Sequence, residues 1–298
     1  MSIIDQSAFP FDVIFIDGVT CCGKTTFIDQ LNNKKNANIL VRNLLHNADR
    51  QLLLDFDFYC KNYQRPILTS KHYMYGTHIT IKRYNEDLKS KLISNYIDIC
   101  NLILDRTIMA LTYAGRTVIV DRSPFAILYF QTYKLMNVLK NKKDRDYVFE
   151  EMLAYIKRLS GYIKASTIEN KIGLSIFTNG TYLPEKSFED LSDENLSRVT
   201  KGHKEIKAVY VYTPSDLKKQ DSYFRFLKAV IKQEIELTPS LFGTAYKWHF
   251  TTTSRFLTKS FIEPLHDLCR MIEYIDHSEI YGLITKHQSK KKNKNDQL

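Results

Sequence analysis

Short apolar runs alternate with amphipathic segments along most of the chain. Two runs are clearest: residues 12–17, Asp-Val-Ile-Phe-Ile-Asp, and residues 117–121, Thr-Val-Ile-Val-Asp. Continuous apolar runs of this length are typical of parallel strands that are buried on both faces. Weaker runs of the same kind predict further strands at residues 38–42, 207–212 and 248–252.

Helices are predicted between these strands. The strongest signal covers residues 85–114, between a potential cap at Asn85 and a terminating glycine at Gly115. Its apolar residues recur at helical spacing: Leu88, Leu92, Tyr96, Ile99 and Ile103. Other helices are predicted at residues 24–32, 125–140, 144–163, 213–236 and 255–275. This alternation predicts an α/β fold built as a three-layer parallel sheet.

Residues 165–206 depart from the alternation, because they are polar and resemble a loop. The stretch GLSIFTNGTYLP places Asn179 and Gly180 between two β-like runs, which predicts a hairpin with a type I′ turn. We interpret the segment as an insertion into one domain that covers residues 1–285. Residues 286–298, KHQSKKKNKNDQL, hold five Lys and one Asp and are predicted to be a disordered basic tail.

Composition limits the classes of protein that fit. A chain of 298 residues, 44% hydrophobic and 26% charged, can bury a full core without disulfides. The five cysteines form no CxxC pair, which favours a reduced intracellular protein, in the cytoplasm or the nucleus, without structural zinc. No apolar run is long enough to span a membrane, so we expect no membrane partner.

The net charge of +10 favours polyanionic partners such as nucleotides or nucleic acid. The basic tail is a candidate nucleic-acid contact or nuclear address, and the alternative is a solubilising tail. A homodimer is left open, because nothing in the sequence decides the oligomeric state.

The first candidate for chemistry follows the first predicted strand. Residues Gly18–Thr25 read GVTCCGKT and match the phosphate-binding pattern Gly-x-x-x-x-Gly-Lys-Thr, also called Walker A. Glycines let successive backbone amides point at one anion, and the following helix adds its positive end. Lys24 is expected to reach the β and γ phosphates of ATP, and the Thr25 hydroxyl to bind Mg²⁺. The alternative is a glycine turn with an exposed lysine.

A second group of polar residues, Asp121-Arg122-Ser123, follows directly on the strand at residues 117–121. In an open α/β sheet, ligands bind outside the carboxyl ends of the strands. A carboxylate at that place can hold Mg²⁺, and an arginine can donate charge-assisted hydrogen bonds to phosphate. The alternative for Asp121 and Arg122 is an ordinary surface pair at a strand end.

Together, Ile-Asp17-Gly18-Val-Thr-Cys-Cys-Gly23-Lys24-Thr-Thr and Val-Ile-Val-Asp121-Arg122-Ser123 resemble the deoxynucleoside kinase and thymidylate kinase family. The resemblance implies a P-loop kinase fold with ATP and Mg²⁺ as cofactors. It implies catalytic roles for Lys24, Asp121 and Arg122, and Mg²⁺ held by Thr25 and Asp121. The residues implied to bind ATP are Gly18, Val19, Thr20, Cys21, Cys22, Gly23, Lys24, Thr25, Thr26 and Arg225.

Arg225 enters through a fainter likeness to the family's lid helix. The turn Thr213-Pro214-Ser215-Asp216 precedes a predicted helix on which Arg225, Lys228 and Lys232 are candidate cations, and the alternative is a solvated helix face.

The sequence also departs from the family. Many members have glycine where Cys21 stands, so the loop backbone is expected to be constrained there. The family's usual glutamate base after the second strand is missing around Arg42, and Asp55 or Asp57 are candidate substitutes.

The leading expectation is therefore ATP-dependent phosphorylation of a deoxynucleoside, with pyrimidine nucleosides favoured. Two alternatives stay open: a thymidylate kinase that uses a nucleoside monophosphate, and a nucleotide-binding protein without turnover that contacts nucleic acid or a partner.

Overall fold

The computed structural model describes residues 10–33, 39–43, 52–53, 56, 60, 77–112, 117–166, 171–202, 212–236 and 259–282. The strand predicted at 248–252, nearly all of that at 207–212, the candidate bases Asp55 and Asp57, and the basic tail lie outside these residues.

Five parallel strands form one sheet in the order β2-β3-β1-β4-β5. The strands are β1 (Val13–Gly18), β2 (Ile39–Asn43), β3 (Thr117–Asp121), β4 (Ile172–Phe177) and β5 (Glu273–Tyr274). Every residue of β1 and of β4 is buried, so both faces of the sheet are covered at its centre. The structure therefore shows the expected combination of helices with an all-parallel sheet.

Seven helices longer than two turns are described. They are α1 (Lys24–Asn33), α2 (Thr77–Leu111), α3 (Pro124–Val138), α4 (Lys142–Ser166), α5 (Phe188–Gly202), α6 (Pro214–Ile231) and α7 (Lys259–Arg270). Helix α1 packs on β1 and β3, and α6 packs on β1, β4 and β5. Helices α2, α3 and α4 pack on one another, and α5 packs on α6. None of these helices is long and apolar enough to span a membrane.

The periodicity that predicts α2 is confirmed by burial. Leu92, Tyr96, Ile99 and Ile103 are each 0% exposed. The predicted start at Asn85 is wrong, because the helix already begins at Thr77.

The interpretation of residues 165–206 needs correction. Ile172–Phe177 is not one arm of a hairpin but strand β4, which pairs in parallel with β1 from Val13↔Ile172 to Gly18↔Phe177. Asn179 and Gly180 form a turn after β4, with Gly180 at φ 85°, and the chain continues into α5 instead of a second strand. This part of the segment therefore belongs to the centre of the sheet and is not a peripheral insertion.

Candidate functional site

The loop between β1 and α1 lies at the carboxyl edge of the sheet, between the ends of β3 and β4. Three of its residues have left-handed backbone conformations: Gly18 (φ 134°), Cys21 (φ 65°) and Gly23 (φ 96°). A Cβ atom on Gly18 would lie 1.9 Å from the carbonyl oxygen of Phe177, so only glycine fits there. The left-handed conformation of Cys21 costs a residue with a side chain roughly 1–2 kcal/mol. The backbone constraint expected from a cysteine at a position where many kinases have glycine is therefore present.

The loop amides fall into two groups. The Val19 amide donates to the Phe177 carbonyl (2.9 Å), and the Thr20 amide donates to Oε1 of Gln220 (3.2 Å). The amides of Cys21, Gly23, Lys24 and Thr25 donate to no other described residue. Amides at a helix start that have no protein acceptor can, together with the helix dipole, bind an anion.

Lys24 is the first residue of α1, and its side chain turns back over the loop. Its Nζ donates to the carbonyl oxygens of Gly18 (2.8 Å) and Val19 (2.5 Å), and the residue is only 5% exposed. The alternative of an exposed lysine on a glycine turn is therefore wrong. Burial lowers the pKa of Lys24, and the charges of Asp121 and Asp17 act against that effect.

Asp17 links the strand before the loop to the second group of polar residues. This carboxylate is 0% exposed, accepts the Ser123 hydroxyl, and accepts the Ser123 amide at 3.3 Å. The Ser123 hydroxyl in turn caps α3 by accepting from the amides of Phe125 and Ala126. Burial raises the pKa of Asp17 to about 6, although the Ser123 hydrogen bonds and the Lys24 charge lower it.

This pKa predicts a pH dependence of folding. Between pH 4 and 6 the folded protein retains the Asp17 proton that the unfolded chain releases, since 3.8 is the ordinary value. The free energy of unfolding should therefore decrease by about 3 kcal/mol as the pH rises through this window, and level off above it. Asp17→Asn should remove this contribution. Urea titrations of both proteins from pH 4 to 8 measure it as a difference.

The matched control for that experiment is Asp29→Asn, on the exposed side of α1. It should keep the wild-type pH profile. Identical profiles for wild type and Asp17→Asn would contradict the proposed titration of Asp17.

Asp121 and Arg122 lie beside the loop, at the end of the neighbouring strand. Asp121 pairs with Ile16 in the sheet register and is half-buried. The Arg122 amide donates to the Ile16 carbonyl (2.9 Å), with φ 74°, and the guanidinium lies 5.9 Å from the Phe130 ring centroid. The charges of Asp121 and Arg122 both act on Lys24. The structure thus brings these two residues together with Lys24 at one edge of the sheet.

The predicted Mg²⁺ ligands are oxygen donors of the type this ion prefers. Thr25 is exposed in the first turn of α1, and Asp121 is half-buried at the adjoining strand end. Among the described residues, no group of three His, Cys, Asp or Glu side chains could hold a metal ion alone. Mg²⁺ usually keeps several waters and uses one or two carboxylates plus substrate phosphates, so Thr25 and Asp121 fit it.

The candidate lid cations separate in space. Arg225 donates through Nε to Asp221 (2.6 Å) and through its terminal nitrogen to the Asn179 carbonyl (3.1 Å), beside the end of β4. Lys228 and Lys232 instead lie 5.0 and 5.7 Å from the ring centroid of Tyr274, on β5. Of the three, Arg225 is the one tied to the loop that follows β4, and its contact with ATP stays a prediction.

Two parts of the site were missed by sequence reasoning. The segment after the turn that follows β4 packs against the loop after β1, because a Cβ on Gly23 would lie 2.9 Å from Leu183 and 3.1 Å from Tyr182. Gln220 reaches the loop from α6, across 200 residues of sequence. No local pattern indicates either contact, since both depend on how distant elements pack.

No protein-family model matches the chain, and no curated protein matches it. The resemblance to nucleoside and thymidylate kinases therefore depends on the motif residues themselves, in the loop after β1 and at the end of β3. These are the residues that lie together at the carboxyl edge of the sheet. Any function has to be inferred from their geometry.

Proposed function

We propose that this protein is an ATP- and Mg²⁺-dependent phosphotransferase of P-loop kinase type, with a deoxynucleoside as acceptor. The observation that carries the proposal is the loop after β1. Its amides from Cys21 to Thr25 engage no other described residue except for the long Cys22–Val19 contact (3.4 Å), and the buried Lys24 ammonium lies against the same loop. A concavity of amides at a helix start, next to a fixed cation, suits a polyphosphate chain.

The residues around the loop divide the work of phosphoryl transfer, which depends mainly on positioning and on neutralising charge. The loop amides hold the phosphate chain, and Lys24 exchanges its two carbonyl acceptors for phosphate oxygens. Thr25 and Asp121 would hold Mg²⁺, which when bound neutralises charge on the phosphates. Arg122, at the end of β3, is placed to contact the acceptor or its phosphate by charge-assisted hydrogen bonds.

The buried carboxylate of Asp17 stabilises this arrangement. Its bonds to the amide and hydroxyl of Ser123 join the end of β1 to the residue that caps α3. The donor loop and the Asp121-Arg122 pair are thereby held at a fixed separation. Such rigidity favours reaction, because misplaced groups lose much of the advantage of proximity.

A panel of acceptors tests the proposal. Purified protein with labelled ATP and Mg²⁺ is given thymidine, deoxycytidine, deoxyadenosine and thymidine monophosphate in parallel. We expect transfer to at least one deoxynucleoside, and a rate about 10²–10³-fold lower for Lys24→Met, which controls for contaminating kinases. Transfer to the monophosphate alone would show that the acceptor is a nucleotide and not a deoxynucleoside. Saturable ATP binding without any transfer would show that the protein binds nucleotides but is not a kinase.

A further inference from the structure

Gln220 connects α6 to the phosphate loop through a single buried hydrogen bond. Its Oε1 accepts the Thr20 amide at 3.2 Å, and Gln220 and Thr20 are each 2% exposed. Because both residues are almost fully buried, we expect the Thr20 amide to be unsatisfied without this acceptor. The orientation of the side-chain amide follows from the same bond, since its NH₂ group cannot accept from a backbone N–H.

The helix that carries Gln220 is anchored on both sides of it. The Tyr223 ring stacks on Tyr129 of α3, with centroids 3.8 Å apart and planes at 7°. Asp216 completes the capping box of α6 and also accepts the Tyr133 hydroxyl at 2.8 Å. These contacts leave Gln220 a fixed point from which to hold the loop.

The bond to Gln220 lies at the boundary between loop amides that have protein acceptors and the Cys21 amide, which engages no other described residue. The two amides that precede Cys21 are held by the protein: Val19 by the Phe177 carbonyl and Thr20 by Gln220. The amides that engage no other described residue begin at the next residue, Cys21, whose left-handed conformation turns the chain. Fixing Thr20 therefore sets the direction in which the following amides point.

Gln220 also carries a cost that a purely stabilising residue would avoid. Its Nε2 is buried and has no hydrogen-bond partner among the described residues. A buried polar atom without a partner destabilises a fold, so such an atom in a native structure calls for an explanation. The explanation here is that Gln220 is held with its Oε1 against the loop, where it accepts the Thr20 amide.

We propose that Gln220 is a positioning residue of the phosphate loop, which holds the Thr20 amide so that the amides from Cys21 onward converge on a phosphate chain. The proposal rests on the proposed nucleotide binding. It adds that the hydrogen bond between Gln220 and Thr20 links α6, the helix that carries Arg225, to the loop.

The first test replaces Gln220 by methionine, which keeps most of the volume but cannot accept the hydrogen bond. The matched control is Gln131→Met, which makes the same change at a 7% exposed position on α3. We expect Gln220→Met to weaken binding of Mg·ATP about tenfold, the equivalent of one hydrogen bond, and Gln131→Met to leave the dissociation constant unchanged. Equal dissociation constants for Gln220→Met and wild type would overturn the proposal.

The second test uses wild-type protein, so it can be carried out even if Gln220→Met does not fold. It tests whether the Thr20 amide is hydrogen-bonded as proposed. In wild-type protein without nucleotide, the Thr20 amide should exchange with deuterium slowly, as measured by NMR. The amides of Cys21, Gly23, Lys24 and Thr25 should exchange fast and become protected on adding Mg·ATP. A Thr20 amide that exchanges as fast as that of Cys21 would contradict the proposed hydrogen bond from Thr20 to Gln220.

The two proposals fail in distinguishable ways. If no nucleotide binds, the proposed function is wrong, yet slow exchange at Thr20 that becomes fast in Gln220→Met would still establish its bond to Gln220. If nucleotide binds equally well to wild type and Gln220→Met, the function stands and the positioning role is wrong.

Discussion

Lys24→Met is expected to lower phosphoryl transfer by about 10²–10³-fold, the usual effect of removing one group that stabilises transition-state charge. Lys24 is the buried cation of the loop, with Nζ within 2.8 Å of two loop carbonyls. Burial lowers the pKa of Lys24, so its charge is held there against a desolvation cost. Methionine removes that cost, and the fold should survive. Initial rates at saturating acceptor, with circular dichroism of each protein, provide the measurement.

Lys142→Met is the matched control, since Lys142 is exposed at the start of α4. It should keep the wild-type rate. A Lys24→Met protein that retains the wild-type rate would show that the loop lysine has no part in transfer.

Gly18→Ala should cause the largest loss of stability among the substitutions considered. The new methyl group would meet the Phe177 carbonyl oxygen at 1.9 Å, and Gly18 has φ 134°, which alanine rarely adopts. Strain and overpacking each cost about 1–3 kcal/mol, so the free energy of unfolding should fall by roughly 3 kcal/mol or more. Urea denaturation measures this loss. Because β1 must move away from β4, affinity for Mg·ATP should be lost as well.

Gly161→Ala is the opposite case and serves as control. Gly161 lies in α4, and a Cβ there meets nothing within 4 Å. Alanine should stabilise this helix by about 0.5–1 kcal/mol. If Gly18→Ala proves as harmless as Gly161→Ala, the close approach of β1 to β4 is incorrect.

The elements around the loop after β1 could be predicted because their signals are local. Strands β1 and β3 are continuous apolar runs, and the loop pattern lies between β1 and α1. Helix α2 shows its buried face as a regular repeat of large apolar residues, from Leu88 to Ile103. In each case the buried positions can be read from the sequence, as a continuous run or a regular spacing of apolar residues.

Strand β4 was misjudged for a physical reason. A parallel strand bonds to partners far away in sequence, here to β1 at a distance of more than 150 residues. Nothing near Ile172–Phe177 reveals that partner, whereas Asn179-Gly180 is a strong local turn signal. The turn exists, but it leads to α5. Strand β5 is only two residues long, too short for any periodicity to indicate.

The site was predictable in its motifs but not in its supports. Lys24, Asp121 and Arg122 come from recognisable patterns, and the structure places them at one edge of the sheet. Ser123 was noted as part of a motif, without its bonds to Asp17. Gln220 is one polar residue in an amphipathic helix, and only the packing of α6 on β1 and β4 brings it to the loop.

The central claim is that the loop from Gly18 to Thr25 wraps a polyphosphate chain, and calorimetric titration of the wild-type protein tests it most directly. ATP and ADP with Mg²⁺ should bind saturably, with dissociation constants between about 1 μM and 1 mM, the usual range of KM values. AMP should bind at least about 100-fold more weakly, because the loop amides and Lys24 hold the β and γ phosphates. A folded protein that binds none of these nucleotides, or binds AMP as tightly as ATP, would contradict the claim.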